Sequence, residues 1–105
     1  MPFNLALIAF ALDAFLRVSL TPAIGFAPLD LKASISVKEG RSVRAEMDCD
    51  NGYYSSSSWD VDDRPHQLTF KITSGAVCTL TAVVYDAQAK VIGFRTVNAT
   101  VIGRE

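Results

Sequence analysis

The sequence predicts a mainly β protein: a small antiparallel sandwich of five to seven strands behind an N-terminal hydrophobic helix. Three observations predict it. After residue 28, apolar and polar residues alternate in short runs, turn residues separate those runs, and the apolar content is concentrated at the front, where 19 of the first 27 residues are hydrophobic. The same contrast sets the domain boundary, with a hydrophobic leader at residues 1–27 and a β domain at residues 28–105. Thr21-Pro22, Gly25 and Pro28 mark it, because two prolines and a glycine oppose continuation of any regular element.

Phe3 to Leu20 contains no Gly or Pro and is rich in Leu, Ala and Phe, a composition that predicts a helix. Such a helix would be about 27 Å long, just short of the roughly 30 Å hydrocarbon core of a bilayer. Asp13 and Arg17 lie within it at i,i+4 and are placed to pair. Three readings of the leader stand side by side. It is a helix embedded in a membrane or a partner, a cleaved signal segment, or an amphipathic helix packed on the domain. The signal reading has an apolar stretch at Leu5–Leu12 and small residues in Gly25-Phe26-Ala27, but Met1-Pro2-Phe3-Asn4 lacks the usual Lys or Arg.

The strands follow in order. Leu29, Leu31, Ala33, Ile35 and Val37 share one face against Asp30, Lys32, Ser34 and Ser36. Lys38-Glu39-Gly40-Arg41 then supplies a turn, and Val43, Ala45, Met47 and Cys49 alternate with Arg44, Glu46 and Asp48 as the expected hairpin partner. The polar segment Asp50–Pro65 reads as a long loop with a short strand near Trp59–Val61. Leu68, Phe70 and Ile72 make a third secure strand, Cys78 to Tyr85 a fourth after Ser74-Gly75, and Val91 to Ile102 a fifth after Asp86–Lys90. No helical period appears after residue 28, which excludes a parallel βαβ architecture. A domain this small has little surplus burial and calls for a staple.

Cys49 and Cys78 fall on the inward phase of their strands and are expected to form that staple as a disulfide, stabilising by about 2–4 kcal/mol. The competing reading is a pair of buried free thiols. A disulfide and an export-like leader both predict a location outside the cytoplasm: periplasmic, cell-surface or secreted, with membrane anchoring through the leader.

The stretch from Leu80 through Tyr85-Asp86 to Lys90-Val91-Ile92-Gly93 resembles the strand, Tyr-Asp turn and following strand of bacterial extracytoplasmic Ig-like domains of the FxLYD type. The resemblance covers one hairpin. Ala89 stands where such turns carry Gly, and Cys49 with Trp59 is similar to the Cys and Trp of Ig domains, although Cys78 follows too soon for their disulfide. It implies an Ig-like β-sandwich in an exported setting, and no chemistry.

Lys+Arg 10 against Asp+Glu 11 leaves a net charge of −1, which excludes a nucleic-acid partner bound by phosphate neutralisation. His66 is the single histidine, and Ser55–Ser58 with Asp60, Asp62 and Asp63 are its neighbours along one loop, which is not triad geometry. Asp48, Asp50, Asp60, Asp62 and Asp63 are oxygen donors for Ca2+, but Asp48-Cys49-Asp50-Asn51-Gly52 places its Gly one position early for an EF-hand and lacks the closing Glu. No metal and no cofactor is expected. The segment Asn51–Trp59 combines Tyr53, Tyr54 and Trp59 with Ser, Gly and Asn, the composition of binding loops, and is expected to carry a functional contact. The sequence therefore leads to a non-enzymatic interaction or structural subunit of an extracytoplasmic membrane or surface assembly. The alternative is a soluble secreted binding domain with a cleaved leader that uses the 51–59 aromatic loop. The expected partner is a protein or membrane assembly.

Overall fold

The computed structural model describes residues 15–103. They form eight strands: β1 (Leu16–Thr21), β2 (Ile24–Phe26), β3 (Leu29–Val37), β4 (Ser42–Cys49), β5 (Tyr54–Asp60), β6 (His66–Ile72), β7 (Ala76–Tyr85) and β8 (Val91–Ile102). Two sheets result, one ordered β1-β3-β6 and one ordered β2-β8-β7-β4-β5. Every pairing is antiparallel except that of β2 with β8.

Period-two patterning builds the interior. Leu31, Ala33, Ile35 and Val37 from β3 join Val43, Ala45, Met47 and Cys49 from β4, and Ala76, Cys78, Leu80, Ala82 and Val84 from β7, in one buried cluster to which both sheets contribute. β-branched and small residues suit such pleated, half-buried surfaces.

The expected leader helix gives way to strands wherever the chain is described. Residues 1–14, with Asp13, lie outside the described residues, whereas Leu16–Thr21 pairs along its whole length with β3 and Ile24–Phe26 pairs with β8. The physical reason is visible in the residues: Leu16 and Leu20 are buried, Val18 is half-buried, and Arg17, Ser19 and Thr21 point outward or stay partly exposed, a period of two inside an apolar run. Among the described residues no helix is long and apolar enough to cross a membrane. Both prolines at the expected boundary follow cis peptide bonds, at Thr21-Pro22 and Ala27-Pro28. They sit where the chain passes from one sheet to the other and back.

A second expectation is corrected between β3 and β4, which are not hairpin partners. The Lys38–Arg41 turn carries the chain from the three-stranded to the five-stranded sheet, so Val37 and Val43 flank the core from different layers. Gly40 makes this turn at φ 111°, and a Cβ there would meet the Val84 side chain at 2.5 Å. The polar segment expected as a loop contains the full strand β5, whose Ser55, Ser57 and Trp59 are half-buried while Tyr54, Ser56, Ser58 and Asp60 are exposed.

Candidate functional site

Tyr53, Tyr54 and Trp59 do not converge on one loop. Asn51 and Gly52 make a tight turn in which the Tyr53 amide donates to Asn51 Oδ1 at 3.0 Å and Gly52 adopts φ 93°. Asn51 Nδ2 donates to Ser74 Oγ at 2.9 Å, and the Val77 amide donates to Asp50 Oδ1 at 2.9 Å, so this turn is tied to the one before β7. Tyr53 packs against the core, and Tyr54 stands on the outer face opposite Asp48. Trp59 turns inward and stacks on His66, the rings 3.9 Å apart and 8° from parallel. His66 is thereby engaged by an indole across the two edge strands β5 and β6.

Cys49 and Cys78 are bonded, with S–S 2.05 Å and Cα–Cα 4.0 Å. They face each other in the β4–β7 ladder. The Cys49 amide donates to Tyr53 O, away from β7, while that of Asp50 donates to Val77 O. Cys49 and Cys78 therefore form a non-hydrogen-bonded pair, the rung at which facing side chains come closest. Both cysteines are buried.

The five aspartates are dispersed. Asp50 serves the Val77 amide, Asp62 accepts from the Arg64 amide, and Asp48 and Asp60 sit at opposite ends of the β4–β5 pair. No group of three or more acidic, His or Cys side chains placed to hold a metal occurs among the described residues.

A different surface gathers functional groups. Arg41, Ser42, Arg44, Ser58, Asp60 and Tyr85 line an open groove of about 500 Å³ on the outer side of the five-stranded sheet, bounded by the turn after β7. The ladder explains the convergence, because Ser42 lies between Asp60 and Tyr85, and Arg44 between Ser58 and Val83, in two successive rows. Asp86 shapes the wall. Its Oδ1 accepts from the Gln88 and Lys90 amides, both at 2.9 Å, and Ala89 on the rim is held at φ 61°. That conformation is unfavourable for a residue with a Cβ, and such strain is stored at positions that the surrounding structure dictates.

Arg44 Nε donates to Glu46 Oε1 at 2.7 Å. This bond, with Tyr54 a lesser influence, raises the Arg44 pKa above its ordinary value. The groove was missed in the sequence because its residues come from three separated segments. A signal was present in Arg41 and Arg44, which flank a strand start with the outward phase of Ser42.

No family model matches the chain, and no curated protein matches it. Among solved structures the chain is similar to superoxide reductase (neelaredoxin) from Ignicoccus hospitalis, with TM-score 0.61 and 12% identity over 83% of this chain and 80% of that one. It is similar to a single-residue variant of the same protein at TM-score 0.61 and 13% identity, over 90% of this chain and 86% of that one. At this identity the likeness is one of fold.

Two expectations are corrected by these neighbours: that the chain is not an enzyme, and that it is an interaction or structural subunit or a secreted domain binding through the 51–59 loop. The first rested on missing catalytic motifs and the second on the apolar leader and the aromatic composition of residues 51–59, yet the fold is one that enzymes carry. A fold shows no motif of its own, since catalytic groups are placed on it one side chain at a time. The described residues nevertheless do not fit a redox-active metal. Transition-metal sites draw on imidazole, thiolate and carboxylate donors, and no three such side chains stand together among the described residues. Here the one histidine is stacked on Trp59 and both cysteines are joined to each other.

Proposed function

We propose that this chain is an extracytoplasmic Ig-like β-sandwich that takes a small anionic ligand or substrate in the groove between β4, β5 and the turn after β7. The observation that carries this reading is Arg41, an exposed guanidinium with no ion-pair partner among the described residues, set beside Arg44 and the hydroxyls of Ser42 and Ser58, with Asp60 at the groove's edge and Asp86 turned to the amides of its own turn. A planar cationic fork flanked by hydroxyl donors matches the oxygens of a carboxylate or phosphate. The Cys49–Cys78 bond supports an oxidising location. The Tyr85-Asp86 turn, which carries the resemblance to FxLYD-type domains, forms one wall of the groove.

Titration with inorganic phosphate, followed by backbone amide shifts, tests the reading. Saturable shifts confined to residues 41–44, 58–60 and 85–89, lost in Arg41→Gln and weakened by salt, are expected. Shifts that scatter over the surface, or that persist in Arg41→Gln, would overturn it.

A further inference from the structure

The outer face beside the groove changes character in a defined direction. Along one row the residues run Phe94, Val83, Arg44, Ser58, and along the next Val91, Tyr85, Ser42, Asp60. The β8 side of both rows is apolar and open, with Phe94 67% and Val91 56% exposed, while the β4–β5 side is polar and charged, carrying Arg41, Arg44 and two serine hydroxyls with Asp60 at its edge. Val83 and Tyr85, both half-buried, bridge the two halves without a break. A simple anion would occupy only the Arg41 half and leave the apolar half in water.

From this layout we propose that the ligand is an anionic amphiphile. Its carboxylate or phosphate head lies on Arg41 and Arg44, and its hydrocarbon part runs across Tyr85 and Val83 onto Val91 and Phe94. The inference rests on the anion-binding reading of the groove and adds the second half of the ligand to it. Arg41 places the head, as the cation of the groove without an ion pair among the described residues, while the carboxylates of Asp60 and Asp86 at the groove's margins confine an anion to its side. The strand spacing of about 4.8 Å places β8 some 10 Å from β4, within reach of a chain of eight carbons. Apolar atoms lying on this row leave water at both surfaces, so affinity rises with chain length.

Calorimetric titration of the intact protein with octyl phosphate, held below its micellar concentration, and separately with inorganic phosphate tests the proposal. Octyl phosphate is expected to bind at least tenfold more tightly. Phe94→Ser, an exposed position whose replacement leaves the core untouched, should remove that gain and leave inorganic phosphate unchanged, while Arg41→Gln should weaken both. Equal affinity for the two probes, or an octyl phosphate gain indifferent to Phe94→Ser, would overturn the amphiphile and leave the anion site standing. Failure of both probes to bind would overturn the site itself and the amphiphile with it.

Discussion

The indole of Trp59 lies flat on the imidazole of His66, 3.9 Å between ring centres. Trp59 belongs to β5 and His66 to β6, the edge strands of different sheets, so the stack closes one flank where neither strand has a further partner among the described residues. β5 offers little else inward, because its other half-buried residues are Ser55 and Ser57.

Trp59→Ala is therefore expected to destabilise by about 2–3 kcal/mol, less than for a fully buried aromatic because the ring is only half-buried. Urea unfolding followed by circular dichroism measures this without relying on the lost fluorophore. His66→Ala should cost less, about 1 kcal/mol, because it removes one ring face of the pair. Equal midpoints for wild type and Trp59→Ala would mean that the flank is held by the backbone alone.

The Cys49–Cys78 bond joins neighbours already aligned by the β4–β7 ladder and spans 29 residues. Replacing both cysteines by alanine should lower stability by about 3 kcal/mol, chiefly by releasing the unfolded chain, with the sheet order retained. Amide exchange and thermal unfolding of the double variant report the two parts separately. Loss of β structure in the folded baseline would show that the bond positions the strands as well as stabilising them.

Ala89 holds φ 61° in the turn after β7. Ala89→Gly relieves the Cβ clash of that conformation against a smaller gain in unfolded-state freedom, for a net stabilisation of about 0.5 kcal/mol, or a rise in Tm of roughly 2–4 °C. Differential scanning calorimetry resolves such a shift. A fall in Tm would mean that the turn does not depend on the left-handed conformation.

The strands that were legible in the sequence are those whose inward residues are large and whose outward residues are charged or hydroxylated. Leu31 to Val37 and Val43 to Cys49 alternate so regularly that their spans, and the inward phase of both cysteines, follow from the residues alone. The partnership of those two strands did not follow, because alternation says which face is buried and nothing about which layer supplies the cover. β1 was hidden by its surroundings, since Leu16, Val18 and Leu20 continue an apolar run whose composition favours helix. β5 was hidden by its position: an edge strand at the rim of the core needs no large inward residue except Trp59. Of the groove only Arg41 and Arg44 left a trace in the sequence, as the rest is made by register between residues some forty positions apart.

The one parallel pairing among the described residues has a mechanical consequence. β2 runs alongside β8, with Ile24 beside Thr100 and Phe26 beside Ile102, and the bonds from the Thr100 amide to Ala23 O and from the Ala27 amide to Ile102 O bracket the pair. In parallel strands the leading end of one and the trailing end of the other lie at opposite ends of the shared ladder. A tensile load drawn between the start of β2 and the end of β8 therefore reaches these bonds sideways and all together, in shear, instead of opening them one after another like a zip. Traction along this axis meets the clasp at its strongest, whereas a pull on β2 at right angles to the sheet would peel it away with far less force.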